Sequence, residues 1–161
     1  RVLKVMLRDD YLWIHVRVKG GAYGCMCNFG KTGDSYLVSY RDPNLKKTVD
    51  IFEKTSDYLR EFTADERTMT KYIIGAVSDM DVPMTPAAKG SRSSGAYLTN
   101  LDFAEVQHER DEVLSCSQDD IRRLAGYLDA IMAEEAVCVV GNGQSIEENK
   151  DLFMKVENLF Q

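Results

Sequence analysis

The chain has 161 residues, 44% of them hydrophobic and 29% charged, with a formal net charge of -6 and a pI of about 5.0. That length fits one domain or a part of a larger protein, and the composition is that of an ordinary folded chain rather than a disordered or collagen-like one. The negative field works against nucleic acid and anionic membranes and favours a basic peptide as partner; no apolar run reaches the roughly 20 residues of a spanning helix, and no signal-peptide pattern is present.

The first stretch, "VLKVMLRDDYLWIHVRV", carries Leu3, Leu7, Tyr11, Ile14 and Val18 at three- and four-residue steps, which predicts one apolar stripe on a helix, widened by Met6, Trp13 and Val16. The pattern begins at Arg1 without a capping residue, so a piece of a longer protein is expected: a single C-terminal domain fragment over 1–161, short of its leading strand. Gly20 and Gly21 supply the permissive backbone on which helices end. Two β-prone runs, Ala22–Phe29 and Ser35–Tyr40, flank "GKTGD" and predict a hairpin.

In "RDPNL", Asp42 is placed to cap a helix and Pro43 to occupy its first turn, with Leu45, Val49, Phe52 and Leu59 on the buried face. "TADE" has the spacing of a capping box at Thr63 and Glu66, opening a helix whose stripe is Met69, Tyr72, Ile73, Ala76, Val77 and Met80 and which stops near "DMDVPMTP". Pro83, Pro86 and "AAKGSRSSG" predict a surface loop. A helix from Asp102 to Leu114 and another from Ser117, with Ile121, Leu124, Ala125, Leu128 and Met132 on one face, follow. "AVCVV" reads as a short central strand, and "ENKDLFMKVENLF" as a short helix or packed tail. The expected class is α+β, a mostly antiparallel sheet with helices packed on one face.

Four cysteines are too few for a disulfide framework in a chain of this length. Cys25 and Cys27 share a strand face, a spacing suited neither to a disulfide nor, alone, to a metal site. His15 and His108 stand apart, and neither H-E-x-x-H nor H-x-x-E-H occurs. "VVGNGQS" lacks the third glycine of a dinucleotide fingerprint, Ile146 standing there, and reads as a strand-exit turn. The mixed charge runs "HERDE" and "QDDIRR" read as solvated helix faces.

"RVKGGAYG" remains. Arg17 offers a permanently charged forked donor at a helix end, and Tyr23 a phenolic donor once the chain has turned into a strand. Both can point at one carbonyl oxygen, with Ala22 and Gly24 small enough to let an extended peptide approach. Spacing alone favours the blander arrangement, Arg17 in a surface ion pair and Tyr23 in a core, and leaves the shared carbonyl open.

"RVKGGAYG", then "SYRDPNLKKTVDIF", then "IIGAVSDMDVPMTPAAKG" resemble, in that order, the C-terminal region of the presequence-protease branch of the insulinase/pitrilysin family of zinc metallopeptidases. The resemblance runs from about Leu3 to Met132. It implies a clamshell of two halves enclosing a peptide, with the zinc and its glutamate in the N-terminal catalytic half of the same polypeptide. No metal is then expected on this chain, and the chain alone is expected to be inactive. The resemblance assigns Arg17 and Tyr23 as donors to the substrate carbonyl and oxyanion, and Gly20, Gly21, Ala22 and Gly24 as shaping the substrate site. Arg41 is read as structural. The compartment it implies is the cytoplasm for a bacterial source and an organellar matrix for a eukaryotic one. The alternative is a non-catalytic structural or peptide-docking relative of the same fold.

Overall fold

The computed structural model describes residues 1–30 and 32–159; Lys31, within the predicted "GKTGD" reversal, lies outside them. The chain opens with helix α1 (Val2–Met6), which runs on as a π-helix (Leu7–Val18). In a π-helix the hydrogen bonds close on the fifth residue back, as Lys19 N–H does on the Ile14 carbonyl at 2.9 Å. The wider turn moves the buried positions to Leu7, Tyr11, Leu12 and Val16, at steps of four and five. The expected stripe is corrected accordingly: Trp13, Ile14 and Val18 are exposed, and Leu12 takes the interior place.

Strands β1 (Gly24–Phe29) and β2 (Ser35–Tyr40) form the predicted antiparallel hairpin, registered Gly24 with Tyr40 and Phe29 with Ser35. The turn closes through the Gly30 N–H to the Asp34 carbonyl at 2.8 Å. Alternation puts Cys25, Cys27, Phe29 and Leu37 against the core, and leaves Met26, Tyr36, Val38 and Tyr40 exposed on the other face. The π-helix and α1 pack against β1. The architecture is α+β, with the sheet limited to these two strands among the described residues.

Helices α2 (Lys46–Glu53) and α3 (Thr55–Arg60) follow. Asp42 does not cap α2; it accepts from the Asn44 N–H at 2.9 Å and from the Thr48 hydroxyl at 2.7 Å, spending its carboxylate on the loop. The cap of α4 (Glu66–Met80) is Asp65, which accepts from the Thr68 N–H at 2.7 Å, so Thr63 is not the capping residue. The predicted stripe of α4 holds, with Met69, Tyr72 and Ala76 buried and Ile73, Val77 and Met80 packed beside them.

The expected loop after Pro83 is instead helix α5 (Pro86–Leu98), capped by Thr85 with Pro86 in its first turn, and none of its residues is buried. Helix α6 (Phe103–Leu114) is capped by Asp102, and α7 (Gln118–Arg123) opens on a capping box of Ser117 and Asp120. Helix α8 (Ala125–Ala133) completes the apolar face: Ile121, Ala125 and Leu128 are buried, whereas Leu124 is exposed. "AVCVV" forms no strand. An apolar run becomes a strand only where another strand pairs with it, and the two strands described pair with each other. "NGQSIEE" is a helix start rather than a strand exit, Asn142 capping α9 (Gly143–Glu148). A short 3₁₀ turn (Lys150–Leu152) and an irregular, exposed segment follow.

The core joins Met6, Leu7, Leu12 and Val16 to Leu59, Phe62, Met69, Ala76, Val113, Ile121 and Leu128. Tyr11 stacks on Tyr58 with ring centroids 4.5 Å apart and donates its hydroxyl to the Ile51 carbonyl at 2.8 Å, fixing the π-helix against α2 and α3. Asp10 accepts from Lys71 at 3.1 Å and from the Tyr72 hydroxyl, tying the same helix to α4. No described helix is long and apolar enough to cross a membrane.

Candidate functional site

Two carbonyls of the π-helix hold the turn that leads into β1. The Arg17 carbonyl accepts from the Gly21 N–H at 2.9 Å and the Val16 carbonyl from the Ala22 N–H at 3.2 Å. Gly21 takes the left-handed backbone at φ +82, the usual terminator of a helix. At Gly20 a side chain has no room, since a Cβ would meet the Val16 carbonyl oxygen at 2.3 Å. Ala22 is turned into the core at 4% exposure, so what it offers a peptide is backbone.

This turn brings Arg17 and Tyr23 together. Arg17 Nε donates to the Tyr23 carbonyl at 3.1 Å, and its guanidinium lies over the Trp13 ring at 4.0 Å. The stack and the bond fix the side chain, while Nη1 and Nη2 have no acceptor among the described residues. Tyr23 is not in the core: it is 66% exposed. Its N–H donates to the Arg41 carbonyl at 3.2 Å, its ring meets Tyr40 edge-on at 5.8 Å, and its hydroxyl has no partner among the described residues. The blander arrangement, an ion-paired Arg17 and a buried Tyr23, is therefore not what the chain adopts. Gly24 has open space where a side chain would stand.

Three contributors escape a reading of the motif alone. Trp13 lies four residues before Arg17, a spacing at which helical side chains meet, so its role as a platform was available as a signal. Asn44 donates its amide to the Gly20 carbonyl at 2.5 Å, latching the loop after β2 onto the glycine turn; nothing in the spacing announces that contact. Arg41 sits at φ +46 and carries its guanidinium 5.5 Å from the Tyr23 ring centroid and 5.3 Å from that of Tyr40.

Burial pushes the Cys25 thiol up, and the nearby Arg17 charge opposes that. Burial raises Cys27 further, to about 11. All four cysteines are free. His15 stacks against Tyr11 at 4.9 Å, and burial, then Lys19, holds it below the ordinary imidazole range. His108 faces Glu112 at 3.5 Å on the exposed side of α6. Among the described residues no three His, Cys, Asp or Glu side chains gather as metal ligands. A shallow depression lined by Glu66, Arg67, Thr70, Lys71 and Ile74 lies on α4, not beside Arg17 and Tyr23.

What the arrangement offers is a guanidinium and a phenol, each with a donor unpartnered among the described residues, at the open end of a hairpin. Two such donors converging on one oxygen can polarise a carbonyl or hold an oxyanion.

Comparison with known proteins bears on where such a site belongs. The family model described as "PreP C-terminal domain" matches residues 1–142. "Protein HypA" of Clostridium perfringens is 42% identical over 99% of this chain, which covers 16% of that protein. "Presequence protease 1, chloroplastic/mitochondrial" of Arabidopsis thaliana is 37% identical over 91% of the chain, covering 14% of that protein. "Presequence protease, mitochondrial" of Aspergillus oryzae is 28% identical over 94% of the chain, again covering 14%. The chain thus spans about a sixth or less of the length of these relatives. Because the match takes in the π-helix, the glycine turn, the hairpin and every helix through α8, the chain belongs to the PreP C-terminal domain family, similar over its length to the C-terminal region of presequence protease.

Proposed function

We propose that this chain is the C-terminal, non-zinc-binding part of a zinc metalloendopeptidase of the insulinase/pitrilysin family that degrades peptides in an enclosed chamber. The observation that carries the reading is the juxtaposition of Arg17 and Tyr23, one anchored to the other's backbone and each with a donor unpartnered among the described residues. In the parent, zinc would supply an activated water for attack on the peptide carbonyl. This chain's own residues bind and orient that carbonyl: Arg17 presents its fork from the Trp13 platform, and the Tyr23 hydroxyl donates to the oxygen as negative charge gathers there. Gly20, Gly21 and Gly24 keep the approach narrow in side chains, and Ala22 anchors the strand beneath. The partners are the peptide and the N-terminal catalytic half of the same polypeptide. The compartment follows the source, cytoplasmic in a bacterium and an organellar matrix in a eukaryote.

The test is cleavage of an unstructured basic peptide by the intact parent, with and without a zinc chelator, alongside this chain alone. The reading predicts chelator-sensitive cleavage by the parent and none by the chain. Chelator-insensitive cleavage, or activity of the chain by itself, contradicts it, and a folded parent that binds the peptide without cleaving it supports the docking alternative.

A further inference from the structure

Arg41 has no part in the reaction as drawn, yet its placement is costly and specific. It is a side-chain-bearing residue in the left-handed region, at φ +46, where only glycine sits freely. Such a conformation persists where surrounding contacts hold it, and it gathers at ligand clamps. Here the holding contacts are the Tyr23 N–H on the Arg41 carbonyl and the two tyrosine rings under the guanidinium.

The chain carries 26 acidic side chains against 20 lysines and arginines. Arg8, Arg60, Arg110, Arg122 and Arg123 each pair with an aspartate and Arg1 with a glutamate, while Arg67 and Arg92 have no ion pair among the described residues. Arg41 pairs with none among the described residues, although Asp42 is its neighbour; the Asp42 oxygens accept instead from Asn44 and Thr48. Arg17 likewise has no carboxylate partner among the described residues. Two guanidiniums with no ion pair among the described residues thus lie against Tyr23, one at its carbonyl and one beside its ring. An arginine held beside aromatic rings keeps its full charge, and a guanidinium can take a carboxylate in two parallel hydrogen bonds.

We propose that Arg41 is a substrate-positioning residue that docks a carboxylate of the bound peptide, carried on a side chain or at the chain terminus, beside the carbonyl held by Arg17 and Tyr23. This rests on the peptidase reading above. It gives a globally acidic surface one local preference of the opposite sign, so that a peptide drawn in by its basic residues is set in register by an acidic group.

The experiment uses the intact parent and three matched unstructured peptides: one with a glutamate near the cleaved bond and a free terminus, its glutamate-to-glutamine version, and its terminal amide. Wild type, Arg41→Gln and Arg41→Lys are compared for kcat/KM, with thermal unfolding to verify the fold. Wild type is expected to prefer the carboxylate-bearing peptide by about tenfold, carried mainly in KM, as a charged hydrogen bond warrants. Whichever neutralised peptide loses that advantage identifies the source of the carboxylate. Arg41→Gln is expected to bring the ratio to about one, and Arg41→Lys to retain part of it. No preference in wild type, or an unaltered ratio in Arg41→Gln, overturns the proposal while leaving the peptidase reading intact. If the parent cleaves none of the peptides, the peptidase reading fails. The carboxylate preference is then measured as peptide binding to the folded parent by fluorescence anisotropy, where a preference lost in Arg41→Gln supports docking and no preference refutes it.

Discussion

Leu12→Ala and Ile14→Ala form the pair of changes that tests how the site is aimed. Leu12 is fully buried, and Ile14 is 40% exposed, a ranking that follows from hydrogen bonds closing on the fifth residue back and would be reversed by an ordinary 3.6-residue stripe through Tyr11, Ile14 and Val18. Truncating Leu12 removes three carbons, about 0.8 kcal/mol each in transfer, and leaves a cavity that adds to that sum. A loss of about 3–4 kcal/mol is expected, inside the usual range for buried leucine. For a chain of this size that corresponds to a drop in Tm of about 10 °C. Ile14→Ala should cost about 1 kcal/mol or less, since much of its side chain is already in water. Urea unfolding of both variants, followed by circular dichroism, gives the two values. If Ile14→Ala proves as costly as Leu12→Ala, the π-helical register is wrong, and with it the direction in which Arg17 leaves the helix.

Gly20→Ala forces a Cβ against the Val16 carbonyl, so a loss of about 1–3 kcal/mol is expected in urea titration, together with reduced peptide cleavage by the parent; Gly24→Ala, which meets open space, should change stability by no more than about 0.5 kcal/mol. Iodoacetamide at pH 8, read by peptide mass mapping, should label the exposed Cys138 first and the buried Cys27 last, because burial raises the Cys27 thiol to about 11 and so lowers its thiolate fraction roughly 100-fold. His15 is held below its ordinary value, so folding favours the neutral ring: its contribution is complete above the unfolded pKa of about 6.5 and is lost as pH falls through the lower folded value. Urea midpoints at pH 7.5 and 5.5 should therefore fall further in wild type than in His15→Gln.

The hairpin was legible because two alternating runs flank a glycine-rich reversal, and α4 because six apolar positions keep one helical face. The register of the first helix was not, since Leu3, Leu7 and Tyr11 fit both helical periods and only the interior decides between Leu12 and Ile14. At α5 the prolines and the glycines and serines after them were read by composition as a loop, whereas Thr85 caps a helix there with Pro86 in its first turn. "AVCVV" shows the limit of an apolar run as evidence, because a strand is a property of a pair. In the site, the nearness of Arg17 to Tyr23 could be read from the helix end and the turn. The roles of Asn44 and Arg41 could not, because each reaches the site across a long stretch of chain from the loop after β2.

The central claim is that the Tyr23 hydroxyl serves the oxyanion rather than the fold. Turnover of an unstructured peptide by the intact parent carrying Tyr23→Phe tests it most directly, since the change removes one oxygen, leaves the ring on Tyr40 and breaks no hydrogen bond among the described residues. The account predicts a fall in kcat of about 10²–10³, with KM and Tm nearly those of the unaltered parent. A kcat within about twofold of the unaltered value, in a folded protein, would remove Tyr23 from the chemistry.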